Sequence, residues 1–324
     1  MLSKIFIGIF FLVIGILLGT FFGKMILPAS SSIQKQIANS NCQHKLINPI
    51  FCNPHPSKTR LNTAHLEGEL QTYIDEAKKE KKVTRTGVYY RDLENGPIIS
   101  IDAYENYYGG SLLKVPVMLF YLKQAEQNPS ILDKTITVDA SIAPTQLKNP
   151  AQAALPGHTY TIRELIDKMI MYSDNASKDV LENAAPSLFG KDNSINKVYI
   201  DLGLDDNTYK TGALTLEQYA TIFTIIYNSQ YLSNAMSEQA LDILSKDTYH
   251  RGIDAGVPPD TIVANKFGIP VTQANKPQLH DCGIVYHLRG PYVLCVFTEG
   301  KDYFALEKVI AGISKMVYDD VDRN

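Results

Sequence analysis

The chain has 324 residues, of which 45% are hydrophobic and 20% charged, so it can bury the core of one large domain or two modest ones. Its formal net charge of −3 at pH 7, without any basic block or stripe, excludes the nucleic-acid-binding classes. The seven histidines are scattered, and neither H-E-x-x-H nor C-x-x-C occurs, so the sequence predicts no metal and no other cofactor.

The first segment of the chain predicts a membrane anchor. A basic start is followed by 18 uncharged, mostly apolar residues from Ile5 to Phe22. That length lies within the ~17–25 residues that span a bilayer and exceeds the ~7–15 of a signal-peptide core. We therefore expect residues 1–24 to anchor the body on the extracytoplasmic face of the cell membrane. If the segment is instead a long cleaved signal peptide, the body is secreted.

Residues 25–64 are rich in Ser, Asn, Gln and Pro and have no sustained period, which predicts a stalk linker. In an exported protein, Cys42 and Cys52 are close enough in sequence for a small local disulfide. Interpreting them as zinc ligands together with His44 and His55 is disfavoured, because the spacing matches no usual zinc pattern.

From about residue 65 the spacing of apolar residues becomes regular. Residues 65–81 predict an amphipathic helix, and the runs TGVYYRDL and GPIISIDA around Asn95–Gly96 predict a hairpin. Residues 111–246 predict a mainly helical block. Three strands (TIVANKFGI, DCGIVYHL and YVLCVFTE) and a helix over 303–319 close the chain.

Strands at both ends of the domain must share one sheet to bury their apolar faces. Hairpin connections make that sheet antiparallel. We therefore predict an α/β fold of the α+β sandwich kind over 65–320, with a five-stranded antiparallel sheet formed from both chain ends. The terminal helices flank one face, and an inserted all-helical subdomain covers the other. Cys282 and Cys295 lie in two of these strands, where they either face each other in a hairpin or are buried thiols.

The run GGSLLKVPVMLFYL places one lysine inside an apolar stretch, and lysine is rarely buried unless it is paired. If Ser111 opens a helix, Ser111 and Lys114 share a face. A desolvated lysine gains neutral character and can act as the general base for a hydroxyl. The same Ser-x-x-Lys pattern occurs twice more in polar segments, so only the apolar setting distinguishes this copy. The alternative is that Lys114 snorkels to the surface.

Two further motifs follow along the chain. Ser173-Asp174-Asn175 interrupts a helical pattern with small polar residues, which also suits a plain helix end and N-cap. Lys266-Phe267-Gly268 lies on a β-rich run before a hairpin, where an edge strand can lend a backbone N–H to an oxyanion. The tripeptide Lys-Thr-Gly at Lys210–Gly212 is similar to Lys266-Phe267-Gly268 but lies in a polar turn. We interpret this similarity as a coincidence.

With these motifs the chain resembles the penicillin-recognising serine hydrolases, most closely the class A β-lactamase group, whose signature is S-x-x-K, S-D-N and K-T-G. The resemblance covers about residues 66–320. It implies that Ser111 is the acylated nucleophile and that Lys114 activates it. It also implies that Ser173 passes a proton to the leaving group and that Asn175 holds the substrate amide.

For the remaining motif residues the resemblance implies a structural role for Asp174 and a pocket-lining role for Lys266, which tunes the site or binds a substrate carboxylate. Phe267 and Gly268 belong to the substrate-binding strand. The backbone N–H groups of Ser111 and Ile269 are expected to form the oxyanion hole.

The chain departs from the family pattern in two ways. Phe267 replaces a hydroxyl residue and cannot donate a hydrogen bond, which puts the substrate in doubt. The family's water-activating glutamate is also missing, since no glutamate occurs between Glu182 and Glu217. Three aspartates in a shorter loop are weak substitutes: Asp201, Asp205 and Asp206.

The sequence thus favours a serine acyl-transfer hydrolase that acts on a D-alanyl-D-alanine peptide of the peptidoglycan stem or on a β-lactam, with slow deacylation. One alternative is a true class A-like β-lactamase with an unusual water-activating residue. Another is a catalytically idle cell-wall binding module. Apart from the substrate, we expect the membrane as a partner through the N-terminal helix, no nucleic acid, and a monomer.

Overall fold

A computed structural model describes residues 44–48, 63–94, 96, 98–142, 149–204, 206–270 and 276–323. The predicted anchor and the pair Cys42 and Cys52 lie outside these residues. Within the described ranges, no helix is long and apolar enough to cross a membrane.

The centre of the domain is the antiparallel sheet predicted from the two ends of the chain. Its strands are β1 Val83–Asp92, β2 Ile98–Ile101, β7 Val263–Gly268, β8 Gln278–Val285 and β9 Tyr292–Gly300. Their order in the sheet is β2-β1-β9-β8-β7, so the N-terminal hairpin pairs directly with the last strand. The prediction of a five-stranded sheet is confirmed.

Strand β9 shows how alternation divides the core between the two faces of the sheet. Leu294 and Val296 pack with the terminal helices, whereas Val293, Cys295 and Phe297 pack with the helical block. Every residue of β9 is buried, because a layer of helices covers each face.

The terminal helices are α1, Thr63–Lys79, and α9, Tyr303–Arg323. Leu66, Leu70 and Ile74 form the buried stripe of α1 at the spacing that the sequence predicted. The structure therefore has the predicted sandwich, with these two helices on one face of the sheet and the helical block on the other.

The block between them is less purely helical than predicted. Two small sheets interrupt it, one pairing β3 (Asn106–Tyr108) with β6 (Ala213–Thr215), the other β4 (Thr135–Thr137) with β5 (Thr159–Thr161). Three-residue strands are too short for an alternating pattern to show in the sequence. The helices are α2 Lys114–Gln127, α3 Ile162–Met171, α4 Asn175–Phe189, α5 Ile195–Asp201, α6 Asp206–Thr211, α7 Leu216–Tyr227 and α8 Asn234–Leu244.

Part of the predicted stalk packs against the domain. Leu46 and Ile47 are buried, and both backbone N–H groups donate to the Glu238 carboxylate on α8 at 2.9–3.1 Å. The Tyr286 hydroxyl donates to the Leu46 carbonyl at 2.8 Å. These contacts hold residues 46 and 47 against the domain, and the stalk linker over residues 25–64 stays a prediction. Two isolated apolar residues in a polar stretch give no periodic signal that would predict the contact.

Cys282 and Cys295 are register partners on β8 and β9 and form a disulfide, which decides between the two sequence alternatives. Both are fully buried on the face that packs with the helical block. The bond links residues 13 apart in sequence and ties the two central strands together.

Removing this disulfide is expected to lower the free energy of unfolding by roughly 2–3 kcal/mol, because a loop of this length is no longer closed in the unfolded chain. Urea unfolding of Cys282→Ala/Cys295→Ala measures the change. A free energy of unfolding within about 0.5 kcal/mol of that of the native protein would contradict the prediction.

Candidate active site

Ser111 lies in a short 3₁₀ turn, Gly110–Leu113, that leads directly into α2. The α-helix therefore begins at Lys114 and not at Ser111 as predicted. The 3₁₀ turn has three residues per turn, so Ser111 and Lys114 still lie one above the other. Gly110 has φ +54°, a conformation that favours glycine. A Cβ on Gly110 would lie 2.8 Å from the Pro270 nitrogen, so only glycine allows the segment after β7 to lie this close to the 3₁₀ turn.

The second motif lies between α3 and α4. Asp174 is the N-cap of α4 and is fully buried. Its Oδ2 accepts from Ser177 N at 2.8 Å, from Ser177 Oγ at 2.5 Å and from Ala154 N at 3.0 Å. Ser173, just before it, has φ +56°. This left-handed residue turns the chain so that both its carbonyl and its hydroxyl point to Lys114.

Replacing Asp174 by Ala is expected to destabilise the fold by about 2–3 kcal/mol, because the α4 cap is lost and the Ala154 N–H is left buried without an acceptor. Urea unfolding measures this change. Asp201→Ala removes an aspartate whose side chain is 32% exposed and is the matched control, expected within about 0.5 kcal/mol of the native protein. Equal effects of the two substitutions would argue against a structural role for Asp174.

Lys114 is 1% exposed and joins the first two motifs. Its Nζ lies 2.5 Å from the Ser173 carbonyl, 2.6 Å from Asn175 Oδ1, 3.0 Å from Ser111 Oγ and 3.1 Å from Ser173 Oγ. The alternative of a lysine that snorkels to the surface is therefore wrong.

The partners of Lys114 suit a neutral amine. Burial lowers the pKa of this amine well below its usual value, and the positive charge of Lys266 lowers it further, while the Asp174 carboxylate acts in the opposite direction. The two closest oxygens, the Ser173 carbonyl and the Asn175 amide oxygen, can only accept, so they take the two N–H groups of a neutral amine. Its lone pair is then left for a hydroxyl proton.

The third motif lies at the end of β7, beside the turn that carries Ser111. A Cβ on Gly268 would lie 2.4 Å from the Gly109 carbonyl oxygen, so the glycine permits this contact. Ile269 follows the strand, and its carbonyl carbon lies 3.0 Å from the position of a Cβ on Gly110. The structure thus brings the backbones of Ile269 and of the Ser111 turn side by side.

Lys266 is placed differently from the expected pocket-lining residue. Its Nζ forms an ion pair with Asp247 Oδ2 at 2.8 Å, and both side chains are 0% exposed. Sequence reasoning missed Asp247, because the pair joins a loop to a strand 19 residues later and follows no local pattern. That Lys266 binds a substrate carboxylate stays a prediction.

The literal K-T-G of Lys210–Gly212 ends α6 and leads into β6. Its glycine carbonyl accepts from the Gly109 N–H at 2.8 Å, so this segment supports the chain just before Ser111. It does not form the strand end beside Ser111, which belongs to Lys266–Gly268.

Asp201 is a poor substitute for the missing glutamate. It forms an ion pair with Lys197 at 2.8 Å. Burial raises the pKa of Tyr231 and the Asp201 carboxylate raises it further, and the Tyr231 ring lies 5.3 Å from the Lys123 amine. Lys123 is nine residues along α2 from Lys114, or about 13 Å at the helical rise. Asp205 and the Asp206 side chain lie outside the described residues. Among the described residues, no three acidic, His or Cys side chains are grouped to hold a metal ion.

Several known proteins share this architecture. A β-lactamase from Bacteroides uniformis is 24% identical over 272 residues, or 78% of this chain and 90% of that protein. The crystal structure of a β-lactamase from Chitinophaga pinensis superposes with a TM-score of 0.67 at 22% identity, covering 79% of this chain and all of that one. PBP-A superposes with a TM-score of 0.66 at 20% identity, covering 80% and 97%.

These superpositions show that the chain has the fold of the β-lactamases and of PBP-A. The model of the β-lactamase enzyme family matches residues 66–321. The chain therefore belongs to the β-lactamase enzyme family.

Proposed function

We propose that the protein is a serine acyl-transfer hydrolase that forms an acyl-enzyme on Ser111 with a D-alanyl-D-alanine-type peptide or a β-lactam. The observation that carries this proposal is the buried Lys114 amine, within 3.1 Å of both the Ser111 and the Ser173 hydroxyl oxygens. A nucleophile is activated by a neighbouring base of lowered pKa, and this arrangement supplies one.

In the proposed reaction, Lys114 takes the proton of the Ser111 hydroxyl as Oγ attacks the carbonyl carbon of the substrate amide. The N–H groups of Ser111 and Ile269 hold the developing oxyanion. Lys114 then returns the proton through the Ser173 hydroxyl to the leaving nitrogen. The C–N bond breaks, and the acyl group remains on Ser111. Asn175 positions the amide of the substrate.

Deacylation is proposed to be slow. Hydrolysis of the acyl-enzyme needs a base to activate water, and no glutamate is available between Glu182 and Glu217. Such an enzyme behaves as a penicillin-binding peptidase, which is inhibited by a lasting acyl group. The likeness to PBP-A, a variant of which is known as an acyl-enzyme complex with penicillin G, supports this proposal. A body on the extracytoplasmic face, anchored through residues 1–24, would meet peptidoglycan peptides there.

Intact-mass spectrometry of the full chain after incubation with benzylpenicillin tests this proposal. We expect one covalently bound penicillin per chain that persists after free penicillin is removed. The similarity to a curated β-lactamase favours a second candidate, a true β-lactamase with an unusual water-activating residue. Rapid turnover of a chromogenic cephalosporin without a lasting adduct would support it. Neither adduct nor turnover, with β-lactams and with D-alanyl-D-alanine peptides, would favour an idle binding module.

A further inference from the structure

Two buried tyrosines hold the 3₁₀ turn that carries Ser111. The Tyr219 hydroxyl on α7 donates to the Leu112 carbonyl at 2.9 Å. The Tyr199 hydroxyl on α5 donates to the Leu113 carbonyl at 3.0 Å. Tyr219 is 0% exposed and Tyr199 1% exposed, and burial raises the pKa of both hydroxyls, so both remain protonated donors. Two helices of the helical block are thus tied to the residues that follow Ser111.

The sequence shows why the Leu112 carbonyl takes a donor from another helix. In an α-helix this carbonyl would accept the backbone N–H of the residue four positions later. That residue is Pro116, which has no N–H. The Lys114 N–H is shared between the carbonyls of Ser111 and Leu112, so the Leu112 oxygen keeps a lone pair for a further donor. The Tyr219 hydroxyl therefore takes the place of the missing N–H.

Packing fixes the position of both tyrosine rings. The centroid of the Tyr219 ring lies 5.8 Å from that of Phe223 and 6.3 Å from that of Phe297, which approach it from α7 and β9. The Tyr199 ring meets Tyr209 edge to face with centroids 5.3 Å apart. Such tilted and edge-to-face contacts are favourable for aromatic rings. A hydroxyl on a fixed ring in turn fixes the carbonyl that it binds.

The two bound carbonyls lie between the reacting groups. They belong to the two residues that separate Ser111 from Lys114, and the Lys114 Nζ lies 3.0 Å from the Ser111 Oγ. We propose that Tyr219 and Tyr199 are positioning residues that keep the Ser111 hydroxyl beside the Lys114 amine for acylation. They act through the backbone of the turn and not on the substrate. This inference rests on the proposed acyl transfer at Ser111.

The acylation rate of the full chain carrying Tyr219→Phe tests the inference, with benzylpenicillin as the probe and intact-mass spectrometry as the readout. We expect the rate at saturating penicillin to fall by about tenfold or more, because a displacement of about 1 Å can cost ~10²-fold. The penicillin concentration that gives half the maximal rate should stay unchanged, since the hydroxyl does not contact the substrate. Tyr199→Phe is expected to show the same pattern.

A second substitution tests whether Tyr219 acts through the Leu112 carbonyl. Alanine in place of Pro116 supplies the backbone N–H that an α-helix would offer to this carbonyl. Adding Pro116→Ala to Tyr219→Phe is therefore expected to raise the acylation rate again by at least about threefold, the value of one modest hydrogen bond. A merely structural loss of the Tyr219 hydroxyl, unconnected with the turn, would not be recovered in this way.

Tyr227→Phe is the matched control, because Tyr227 lies on the same helix, is 1% exposed, and its hydroxyl has no hydrogen-bond partner within the described residues. It should acylate at the native rate. A rate in Tyr219→Phe within about twofold of that in Tyr227→Phe would overturn the inference. A loss that Pro116→Ala does not recover would overturn the role of the Leu112 carbonyl. If urea unfolding shows that Tyr219→Phe does not fold, Tyr199→Phe decides by the same comparison.

The two proposals can fail separately. Native acylation rates in both Tyr219→Phe and Tyr199→Phe, with a penicillin adduct on Ser111, would overturn only the positioning role. No adduct on the native chain, and no reaction with D-alanyl-D-alanine peptides, would overturn the proposed function and the inference with it.

Discussion

Ser111→Ala is expected to abolish the covalent penicillin adduct and to reduce the acylation rate by roughly 10³-fold or more, since the attacking oxygen is removed. The substitution leaves the 3₁₀ turn and the Lys114 contacts to Ser173 and Asn175 in place, so folding should be preserved. Intact-mass spectrometry after incubation with benzylpenicillin detects the adduct. Samples quenched at successive times give the acylation rate.

Ser194→Ala is the matched control, because Ser194 and Lys197 form another Ser-x-x-Lys pair in this chain. Lys197 pairs with Asp201 on the exposed face of α5, and the Ser194 side chain makes no capping hydrogen bond. We expect native adduct formation from this variant. An adduct that still forms in Ser111→Ala but is lost in Ser194→Ala would mean that the nucleophile is Ser194 and not Ser111.

The sheet and its two layers could be predicted from the sequence because strand alternation and helical periodicity are local signals. The run YVLCVF of β9 is apolar on both faces and follows Gly290–Pro291, which is enough to predict a buried strand. The small sheets β3–β6 and β4–β5 could not be predicted, since three residues carry no usable period. Their pairing depends on segments more than twenty residues apart along the chain.

The candidate site was predictable in its motifs but not in its contacts. The sequence motifs identify Ser111, Lys114 and the Ser173–Asn175 turn as candidate site residues. It does not show that the Ser173 carbonyl is the closest acceptor of Lys114, because this contact requires a left-handed serine. Likewise, the pairing of Lys266 with Asp247 depends on how the loop before β7 folds back onto the strand.

The two buried lysines near Ser111 have opposite surroundings, and this difference assigns them different tasks. Lys266 has the buried Asp247 carboxylate in contact and forms an ion pair with it at 2.8 Å. Lys114 is in contact with hydroxyl, carbonyl and amide oxygens only, so nothing in contact with it offsets the cost of burying a charge. The positive Lys266 further disfavours a second charge nearby. Lys114 is therefore the amine suited to accept a proton.

Lys114→Met is expected to reduce the acylation rate by about 10²–10⁴-fold, the usual contribution of a positioned general base. Methionine fills much of the same buried volume without an amine. The loss of acylation rate can therefore be attributed to the missing base and not to a cavity. Acylation followed by intact mass, with urea unfolding as the check of stability, measures the effect. A rate within threefold of the native protein would exclude Lys114 as the base.

The pH dependence of the acylation rate tests whether Lys114 acts as a neutral base. Only the neutral amine can accept the Ser111 proton, so the rate should fall about tenfold per pH unit below the pKa of Lys114 and level off above it. Because burial and Lys266 lower this pKa well below its usual value of 10.5, the midpoint should lie well below 10.5. The charge of Lys178 also lowers this pKa, so Lys178→Gln should move the midpoint upward. A native midpoint near 10.5 would mean that Lys114 is charged in the resting site and that another group takes the proton. A downward shift in Lys178→Gln would mean that the midpoint does not report the titration of Lys114.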